Sequence, residues 1–243
     1  MAQRLTFWVA PVLWLALNAA SGPALSQGTS PSTGMVEMSL GKADAPVTII
    51  EYASLTCPHC ANFHEKTLPD LKRDYIDTGK VRLVYRDFPF DEVALRAAML
   101  ARCIGPERYF GFLDVLFKQQ ATWSRAPTPL DALAQVARLA GIGDEGFRAC
   151  YTDRALEEYV LKGRVDGQSQ YGVNSTPTFI IGGIKHAGFK SIDEMKALID
   201  PILAGIPIVL QGLVPGALTN PATLPLDQPY FEPSDALVFP NPN

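Results

Sequence analysis

The sequence predicts an α/β fold in which a strand–helix–strand unit precedes a long helical stretch and a second pair of strands. An apolar, β-branched run at 47–53 is typical of a buried strand, and a Cys-x-x-Cys motif at 57–60 follows it. Apolar residues recur at helical spacing from 91 to about 170. Strand patterns return at 178–186, on both sides of a Gly-Gly pair.

Composition and the N-terminal segment indicate an exported globular protein. The chain has 243 residues, 47% hydrophobic and 19% charged, and a net charge of −4. This charge excludes the basic surface typical of nucleic-acid binding. Residues 1–26 have the features of a signal peptide: Arg4 precedes an apolar run, and 24–26 is a small-x-small cleavage site. We expect a cleaved signal and a periplasmic protein; an uncleaved anchor is the alternative.

The first half of the mature chain predicts the strand–helix–strand unit. The Ser-, Thr-, Gly- and Pro-rich segment 27–34 predicts a flexible lead-in, and 35–40 a short edge strand. After the strand that precedes the Cys-x-x-Cys motif, we expect a helix over 61–78, which Pro69 should kink or restart. A strand over 80–87 follows, and this spacing predicts a parallel pair of strands.

Helices are expected through the middle of the chain. Thr128 and Pro129 predict a helix start, with Thr128 as the cap and Pro129 in the first turn. Two further helices are predicted at 144–151 and 155–170. Phe110, Phe112 and Phe117 could line a ligand groove, but we interpret them as helix–helix core.

The end of the chain predicts a hairpin, a last helix and a tail. Gly182 and Gly183 suit the turn between two short strands. Ser191 and Glu194 form a capping-box pattern that opens a helix to about 203. The Pro-rich residues 205–243 lack Lys and Arg and predict an extended or disordered arm.

The motif Cys57-Pro58-His59-Cys60 predicts a redox site. A Cys in the first turn of a helix faces unpaired backbone N–H groups, which favour the thiolate. A structural disulfide or half of a zinc site are the alternatives. Zinc would need two further ligands, for which His59 and His64 are the nearby candidates. The strand before the motif and the helix after it favour redox chemistry, and we expect no metal and no cofactor.

The order of three motifs carries a family resemblance. They are Glu51 six residues before Cys57, then Tyr85-Arg86-Asp87-Phe88-Pro89, then Gly172-Val173-Asn174-Ser175-Thr176-Pro177-Thr178-Phe179. Together with the helical stretch, they resemble the DsbA-like thiol:disulfide oxidoreductases over about 35–204. The resemblance implies a thioredoxin fold, with parts at 35–88 and 165–204, interrupted by an all-helical insertion domain at 89–164.

The resemblance implies a role for each residue of the motif. Cys57 is expected to be the exposed nucleophile, and Cys60, one turn inside the helix, the buried thiol that resolves the mixed disulfide. The imidazole of His59 is expected to favour the Cys57 thiolate. Thr176–Pro177 matches the family's cis-proline bond, which faces the disulfide.

The positions of Glu51 and His64 in the sequence predict whether each side chain is buried. Glu51 is an acid in an otherwise apolar strand, so we expect it to be buried and to carry protons to and from Cys60. The alternative is an edge-strand Glu that faces water. The resemblance places an acidic residue in some relatives where this chain has His64, and we expect His64 to be exposed.

The remaining cysteines are expected to form a structural disulfide, since similar pairs occur in some members of the family. Cys103 ends one predicted helix, and Cys150 lies in the short helix after Gly143. Two unpaired core thiols are the alternative. A bridge between them would stabilise the fold by at most roughly 4 kcal/mol in the chain-entropy estimate.

The function implied is oxidation of reduced, unfolded exported proteins by the Cys57–Cys60 disulfide, through a mixed disulfide. A DsbB-like, quinone-linked membrane protein is the expected reoxidant, and a monomer is the expected state. A disulfide isomerase or reductase is the alternative within the fold. Thr176 favours it, because Thr before the cis-proline recurs in isomerases. A holdase or assembly-type binding protein is the alternative of another class.

Overall fold

The computed structural model describes residues 34–206. The predicted signal peptide 1–26, the lead-in up to 33 and the tail from 207 onward lie outside the described residues. Among 34–206, no helix has both the length and the apolar character that a membrane span requires.

One mixed sheet forms the centre of the described chain, in the order β1-β3-β2-β4-β5. Its strands are β1 Met38–Leu40, β2 Val47–Ala53, β3 Val81–Asp87, β4 Thr178–Ile181 and β5 Ile184–Ala187. The β2–β3 pair is parallel, as predicted, and β1 lies antiparallel to β3 at the edge. β4 pairs antiparallel with β2 and with β5, so the strand before the Cys-x-x-Cys motif is central.

The helix that follows the motif begins at Pro58, earlier than predicted, and is built in short pieces. They are α1 Pro58–Asn62, a π-helical turn Phe63–Thr67, α2 Leu68–Leu71 and a second π-helical turn Lys72–Ile76. Pro69 has no N–H to donate to the carbonyl four residues before it, so the regular ladder is interrupted there. The expected restart at Pro69 is therefore present, as α2.

Six helices lie between β3 and β4. They are α3 Glu92–Cys103, α4 Pro106–Lys118, α5 Gln120–Ser124, α6 Pro129–Leu139, α7 Asp144–Tyr151 and α8 Arg154–Tyr171. Thr128 is the N-cap residue of α6, as predicted, although its hydroxyl makes no capping hydrogen bond. Pro129, with its fixed φ, occupies the first turn of this helix.

The predicted boundary at 164, between the helical insertion and the second part of the thioredoxin fold, falls inside α8. The helix continues through this point without a break. It ends where Gly172 adopts the left-handed conformation, with φ 61°. Gly167, inside the same helix, lies so close to the Tyr52 ring that a Cβ would overlap it. The helix is therefore shared between the sheet and the other helices. The last helix, α9 Ile192–Leu203, begins with the predicted capping box at Ser191.

The helices and the redox motif share one core. Cys60 and Ala61 belong to the same buried cluster as the apolar faces of α3, α4 and α6, including Phe112 and Phe117. The interpretation of these phenylalanines as core agrees with the structure. A second cluster, on β2, β3, β4 and α9, includes Phe63 and Phe179. The helical stretch thus packs directly behind the motif.

A disulfide joins α3 to α7. Cys103 and Cys150 are bonded across a sequence separation of 47, with their Cα atoms 6.0 Å apart. The expected pairing is therefore present in the structure.

A buried ion pair accounts for the Asp87 of the sequence motif at 85–89. Arg102 of α3 donates from Nε to the Asp87 carboxylate at the end of β3, and both side chains are buried. Its Nη1 donates to the carbonyls of Gly34 and Val36, at 2.9 and 3.0 Å. Arg102 therefore joins the sheet, the helices and the start of the described chain.

Replacing Arg102 with Met should lower the free energy of unfolding by about 3–5 kcal/mol, because Asp87 would be left as a buried charge without its partner. The measurement is urea unfolding. Arg138 is the matched control, since its pair with Asp144 is exposed, at 52% and 66%. Arg138→Met should cost no more than about 1 kcal/mol. Equal losses in the two variants would contradict the prediction.

Candidate active site

Cys57 lies at the junction of β2 and α1. It is the N-cap of α1, with extended backbone, and Pro58 takes the first helical position. The N–H groups of Cys60 and Ala61 donate to the Cys57 carbonyl, at 3.1 and 3.2 Å. Cys60 is fully buried, as predicted, whereas Cys57, which was expected to be exposed, is half-buried. Pro58 and His59 are exposed.

The environment of Cys57 favours its thiolate. Its pKa is lowered from 9.0 to about 5, chiefly by a hydrogen bond from the Cys60 thiol. Partial burial opposes this shift, and the Thr176 side chain and the backbone of Cys60 and His59 add to it. A thiolate near neutral pH makes Cys57 the nucleophile of the pair.

Cys60 has the opposite character. Burial raises the pKa of its thiol well above 9.0, and donation to Cys57 together with the charges of Cys57 and Glu51 raises it further. Cys60 is therefore a neutral thiol that becomes a nucleophile only when a base takes its proton. Two sulfurs with such different pKa values can open and close a disulfide in a defined order.

His59 contributes to the site through its main chain. Its side chain is exposed, and its backbone is what lowers the pKa of Cys57. The contribution of His59 to the lowered pKa of Cys57 comes from its main chain. The expected effect of its imidazole stays a prediction.

The segment before β4 faces Cys57. The Thr176–Pro177 bond is cis, as expected. When Cys57 is protonated, its thiol donates to the Thr176 carbonyl at 3.3 Å. Gly188 donates from its N–H to the Pro177 carbonyl at 2.8 Å, and the antiparallel pairing of β4 with β2 holds this segment in place. The Thr176 hydroxyl is buried and has no partner within ordinary hydrogen-bond geometry among residues 34–206, but it lies close enough to the Cys57 sulfur to lower its pKa.

Gln120 is a site residue that the sequence analysis missed. Its side-chain amide, in α5, donates to the carbonyls of Leu55 and Cys57, at 2.7 and 3.0 Å. The Thr56 hydroxyl donates to Asp91, the N-cap of α3, at 2.8 Å. The helices therefore fix the loop before the motif at two points. A polar residue between apolar helix positions carries no local signal of such a role.

Glu51 and His64 form a buried pair. Val47, Ile49 and Glu51 alternate along one face of β2, so the carboxyl group lies on the side of the helix after the motif. The His64 Nε2 lies 3.1 Å from each carboxylate oxygen of Glu51. The expectation that Glu51 is buried agrees with the structure. The expectation that His64 is exposed is wrong, because the bond to Glu51 draws the imidazole under Phe117.

The sequence-predicted site residues therefore fall into two groups. Cys57 and Thr176 are partly exposed and in contact, with Cys60 and Pro177 buried in the same region, whereas Glu51 is buried in the interior. Among residues 34–206, the structure contains no group of three or more His, Cys, Asp or Glu side chains that could hold a metal ion.

The fold and the site together define a class. A central strand that leads into a Cys-x-x-Cys helix, facing a cis-proline before an antiparallel strand, is a dithiol site on a thioredoxin fold. The sequence profile of the family described as thioredoxin matches residues 33–201. The crystal structure of Wolbachia pipientis alpha-DsbA1 superposes with a TM-score of 0.66 and 32% identity, over 72% of this chain and 94% of that one. The chain belongs to the thioredoxin family and, within it, to the DsbA-like proteins.

Curated relatives agree with this placement. A Rickettsia bellii protein, provisionally named a protein-disulfide oxidoreductase, is 34% identical over 165 residues, which cover 68% of this chain and 63% of the relative. Disulfide bond formation protein D of Bacillus subtilis is 27% identical over 171 residues, 68% of this chain and 77% of that protein. The chain thus spans less than two thirds of the length of the Rickettsia relative that it matches.

The pKa of Cys57 predicts how the stability of the reduced protein depends on pH. The pKa of Cys57 is about 5 in the folded protein, against an ordinary value of 9.0. The contribution of the Cys57 thiolate to the free energy of unfolding is therefore full above about pH 9 and is lost as the pH falls through about 5. Cys60 stays protonated throughout this window. The oxidised protein has neither thiol. Raising the pH from about 4 to about 8 should therefore stabilise the reduced form relative to the oxidised form.

Urea midpoints of both forms across this range provide the measurement. Groups that titrate in both forms cancel in the difference. Cys57→Ser is the control, since it should lose the extra pH dependence while it keeps the fold. A difference between the two forms that does not change with pH would contradict a depressed pKa at Cys57.

Proposed function

We propose that this chain is an exported thiol:disulfide oxidoreductase that donates its Cys57–Cys60 disulfide to reduced substrate proteins. The observation that carries the proposal is the contrast between the two sulfurs. The accessible sulfur is stabilised as a thiolate at a pKa of about 5, and the buried one is held as a thiol. Stabilising the reduced form of a dithiol makes its disulfide an oxidant.

The exchange proceeds in two substitutions. A substrate thiolate attacks the Cys57 Sγ, the bond between the two Sγ atoms breaks, and Cys60 receives the electron pair and a proton. A second substrate thiolate then attacks the substrate sulfur of the mixed disulfide, and Cys57 leaves as a thiolate. The substrate dithiol becomes a disulfide and the protein becomes a dithiol. The low pKa of Cys57 favours its departure in the second step.

Substrates and partners follow from this chemistry. The Cys57 sulfur is accessible beside the Thr176–Pro177 segment, so unfolded chains with free thiols suit it better than buried thiols of folded proteins. A DsbB-like, quinone-linked membrane protein is the proposed reoxidant, and the periplasm the proposed compartment. The name of the Bacillus subtilis relative, a disulfide bond formation protein, supports the direction of transfer.

Thr176 favours a second candidate, a disulfide isomerase or reductase. Its carbonyl accepts from the Cys57 thiol at 3.3 Å, which stabilises the thiol, whereas its side chain lowers the pKa of Cys57. The two effects of one residue oppose each other. An isomerase needs a reduced protein that attacks wrong disulfides and is released slowly. The net effect of Thr176 on the Cys57 pKa therefore influences whether the protein acts as an oxidase or as an isomerase.

Two assays on one preparation test the proposal: oxidation of a reduced unfolded protein, and rescue of a protein with scrambled disulfides. We expect oxidation to be faster than rescue. Cys57→Ser should abolish both activities. Cys103→Ser/Cys150→Ser, the matched control, removes a sulfur pair outside the site and should keep the oxidation rate at temperatures below its unfolding. A rescue rate that exceeds the oxidation rate, or a measured Cys57 pKa of about 8, would favour the isomerase or reductase.

Export has its own test. The full chain, expressed in a Gram-negative bacterium, should reach the periplasm and lose residues 1–26. The mass of the protein released by osmotic shock measures both. An intact N-terminus in the membrane fraction would indicate an uncleaved anchor instead, and a protein that stays in the cytoplasm would contradict export.

A further inference from the structure

The loop that follows β3 borders the loop that carries Cys57. β2 and β3 are parallel and in register, so their carboxyl ends lie side by side at one edge of the sheet. Cys57 comes four residues after the end of β2, and Phe90 comes three residues after the end of β3. The Thr56 hydroxyl donates to the Asp91 carboxylate at 2.8 Å. This bond joins the residue before Cys57 to the residue after Phe90.

Phe90 is an exposed aromatic ring on a buried base. It is 45% exposed, and the edge-to-face contact with Phe88 places the two ring centroids 5.4 Å apart. Phe88 is buried in a cluster with Tyr52 and Val173, and Val173 begins the segment that leads to Thr176. An aromatic ring that is already held in place offers apolar contact area at little further cost in side-chain entropy.

The guanidinium group of Arg164, in α8, lies over both rings. Its Cζ atom is 5.5 Å from the centroid of the Phe88 ring and 5.8 Å from that of Phe90. Within residues 34–206, Arg164 makes no hydrogen bond and no ion pair. A guanidinium group above an aromatic face keeps N–H groups that can bind a carboxylate.

The carboxylates closest in sequence to these two residues have other partners. Asp166 accepts from the Lys162 ammonium group at 2.7 and 2.9 Å. Asp91 accepts from Thr56 and is the N-cap of α3. The positive charge of Arg164 is therefore not neutralised by either of them, and it lies next to an exposed apolar ring.

We propose that Phe90 and Arg164 form a substrate subsite, which selects segments with an aromatic or apolar side chain and a carboxylate close to the reacting cysteine. This inference rests on the proposed function and names the class of thiol segment that is oxidised fastest. One hydrogen-bonded pair of side chains joins the two loops. Since an extended chain advances about 3.3–3.6 Å per residue, the selected side chains lie within roughly four residues of the cysteine.

The chemistry of the exchange is unchanged by the subsite. The substrate dithiol still gives two electrons and two protons to the Cys57–Cys60 pair, and Phe90 and Arg164 only bind the flanking residues. The aromatic ring contacts the apolar side chain, and the guanidinium group pairs with the carboxylate.

Four peptides with the same two cysteines test the subsite. Beside the first cysteine they carry Phe and Glu, Phe and Gln, Ser and Glu, or Ser and Gln. The oxidised protein, in excess, converts each peptide dithiol into a disulfide in one turnover, so no reoxidant is needed. Each rate is divided by the rate of the same peptide with oxidised glutathione, which corrects for the reactivity of its thiols. We expect the Phe–Glu peptide to react about tenfold faster than the Ser–Gln peptide, with about threefold from each contact.

Variants separate the two contacts. Arg164→Gln should remove the preference for Glu over Gln, and Phe90→Ser should remove the preference for Phe over Ser. Arg164→Glu should reverse the charge preference, so that a peptide with Lys in place of Glu becomes the faster one. In the wild-type protein, the preference for Glu should weaken between about 0.05 and 0.5 M salt, whereas the preference for Phe should not.

Two matched controls lie elsewhere on the helices. Arg148 is an exposed Arg of α7, and Leu139, at the end of α6, is 82% exposed. Arg148→Gln and Leu139→Ser should keep both preferences and the oxidation rate of a small dithiol.

Four results would overturn the inference. They are equal corrected rates for the four peptides in the wild-type protein, preferences that persist in Arg164→Gln and Phe90→Ser, and an Arg164→Gln variant that slows a small dithiol as much as the Phe–Glu peptide. The fourth is a changed sedimentation coefficient of Arg164→Glu alone, which would assign Arg164 to a second copy or another segment of this chain. Failure of the proposed function is distinct, because the oxidised wild-type protein would then oxidise none of the peptides.

Discussion

The hydrogen bond from the Cys60 thiol to the Cys57 sulfur is the interaction on which the site depends. It is the largest influence on the pKa of Cys57, and it exists only because burial keeps the proton on Cys60. A neutral, buried donor and an accessible, charged acceptor stabilise each other. If Cys60 were open to water, its proton would be lost more easily and the Cys57 thiolate would lose its main support. The burial of one sulfur is thus the cause of the reactivity of the other.

That burial is supplied by the helices between β3 and β4. The cluster that encloses Cys60 includes residues of α3, α4 and α6, and the loop before Cys57 is held by Gln120 and Asp91. A sheet with one covering helix would leave the first turn of α1 with fewer apolar neighbours. The long helical stretch therefore sets the electrostatics of the motif in addition to shaping the surface around it.

Much of this arrangement follows from local patterns in the sequence. β2 is recognisable from its β-branched run, and the parallel β2–β3 pair from strand–helix–strand spacing, because both depend on neighbours along the chain. The cis bond at Pro177 and the Cys103–Cys150 pairing followed from the resemblance to a family, since neither local sequence nor cysteine count determines them.

The contacts that escaped prediction are those between distant segments. His64 has a polar side chain on a helical turn, which favours exposure, and only Glu51 from β2 and Phe117 from α4 explain its burial. Gln120 acts on carbonyls 63 and 65 residues away in sequence. Arg102 likewise joins groups that no periodicity relates. Single-residue polar contacts across the fold leave no repeat in the sequence for pattern analysis to detect.

The position of Gln120 has a consequence for reducing this protein to a smaller catalyst. Its amide satisfies the main-chain oxygens on either side of Thr56, including that of Cys57 itself. A shortened chain that joined β3 directly to β4 would keep every strand and both sulfurs. It would nevertheless remove the Gln120 donor from the Leu55 carbonyl and leave the Cys57 carbonyl with the N–H groups of Cys60 and Ala61 alone. The smallest unit with this chemistry therefore includes α5, and miniaturisation should begin elsewhere, at the exposed ends of α6 and α7.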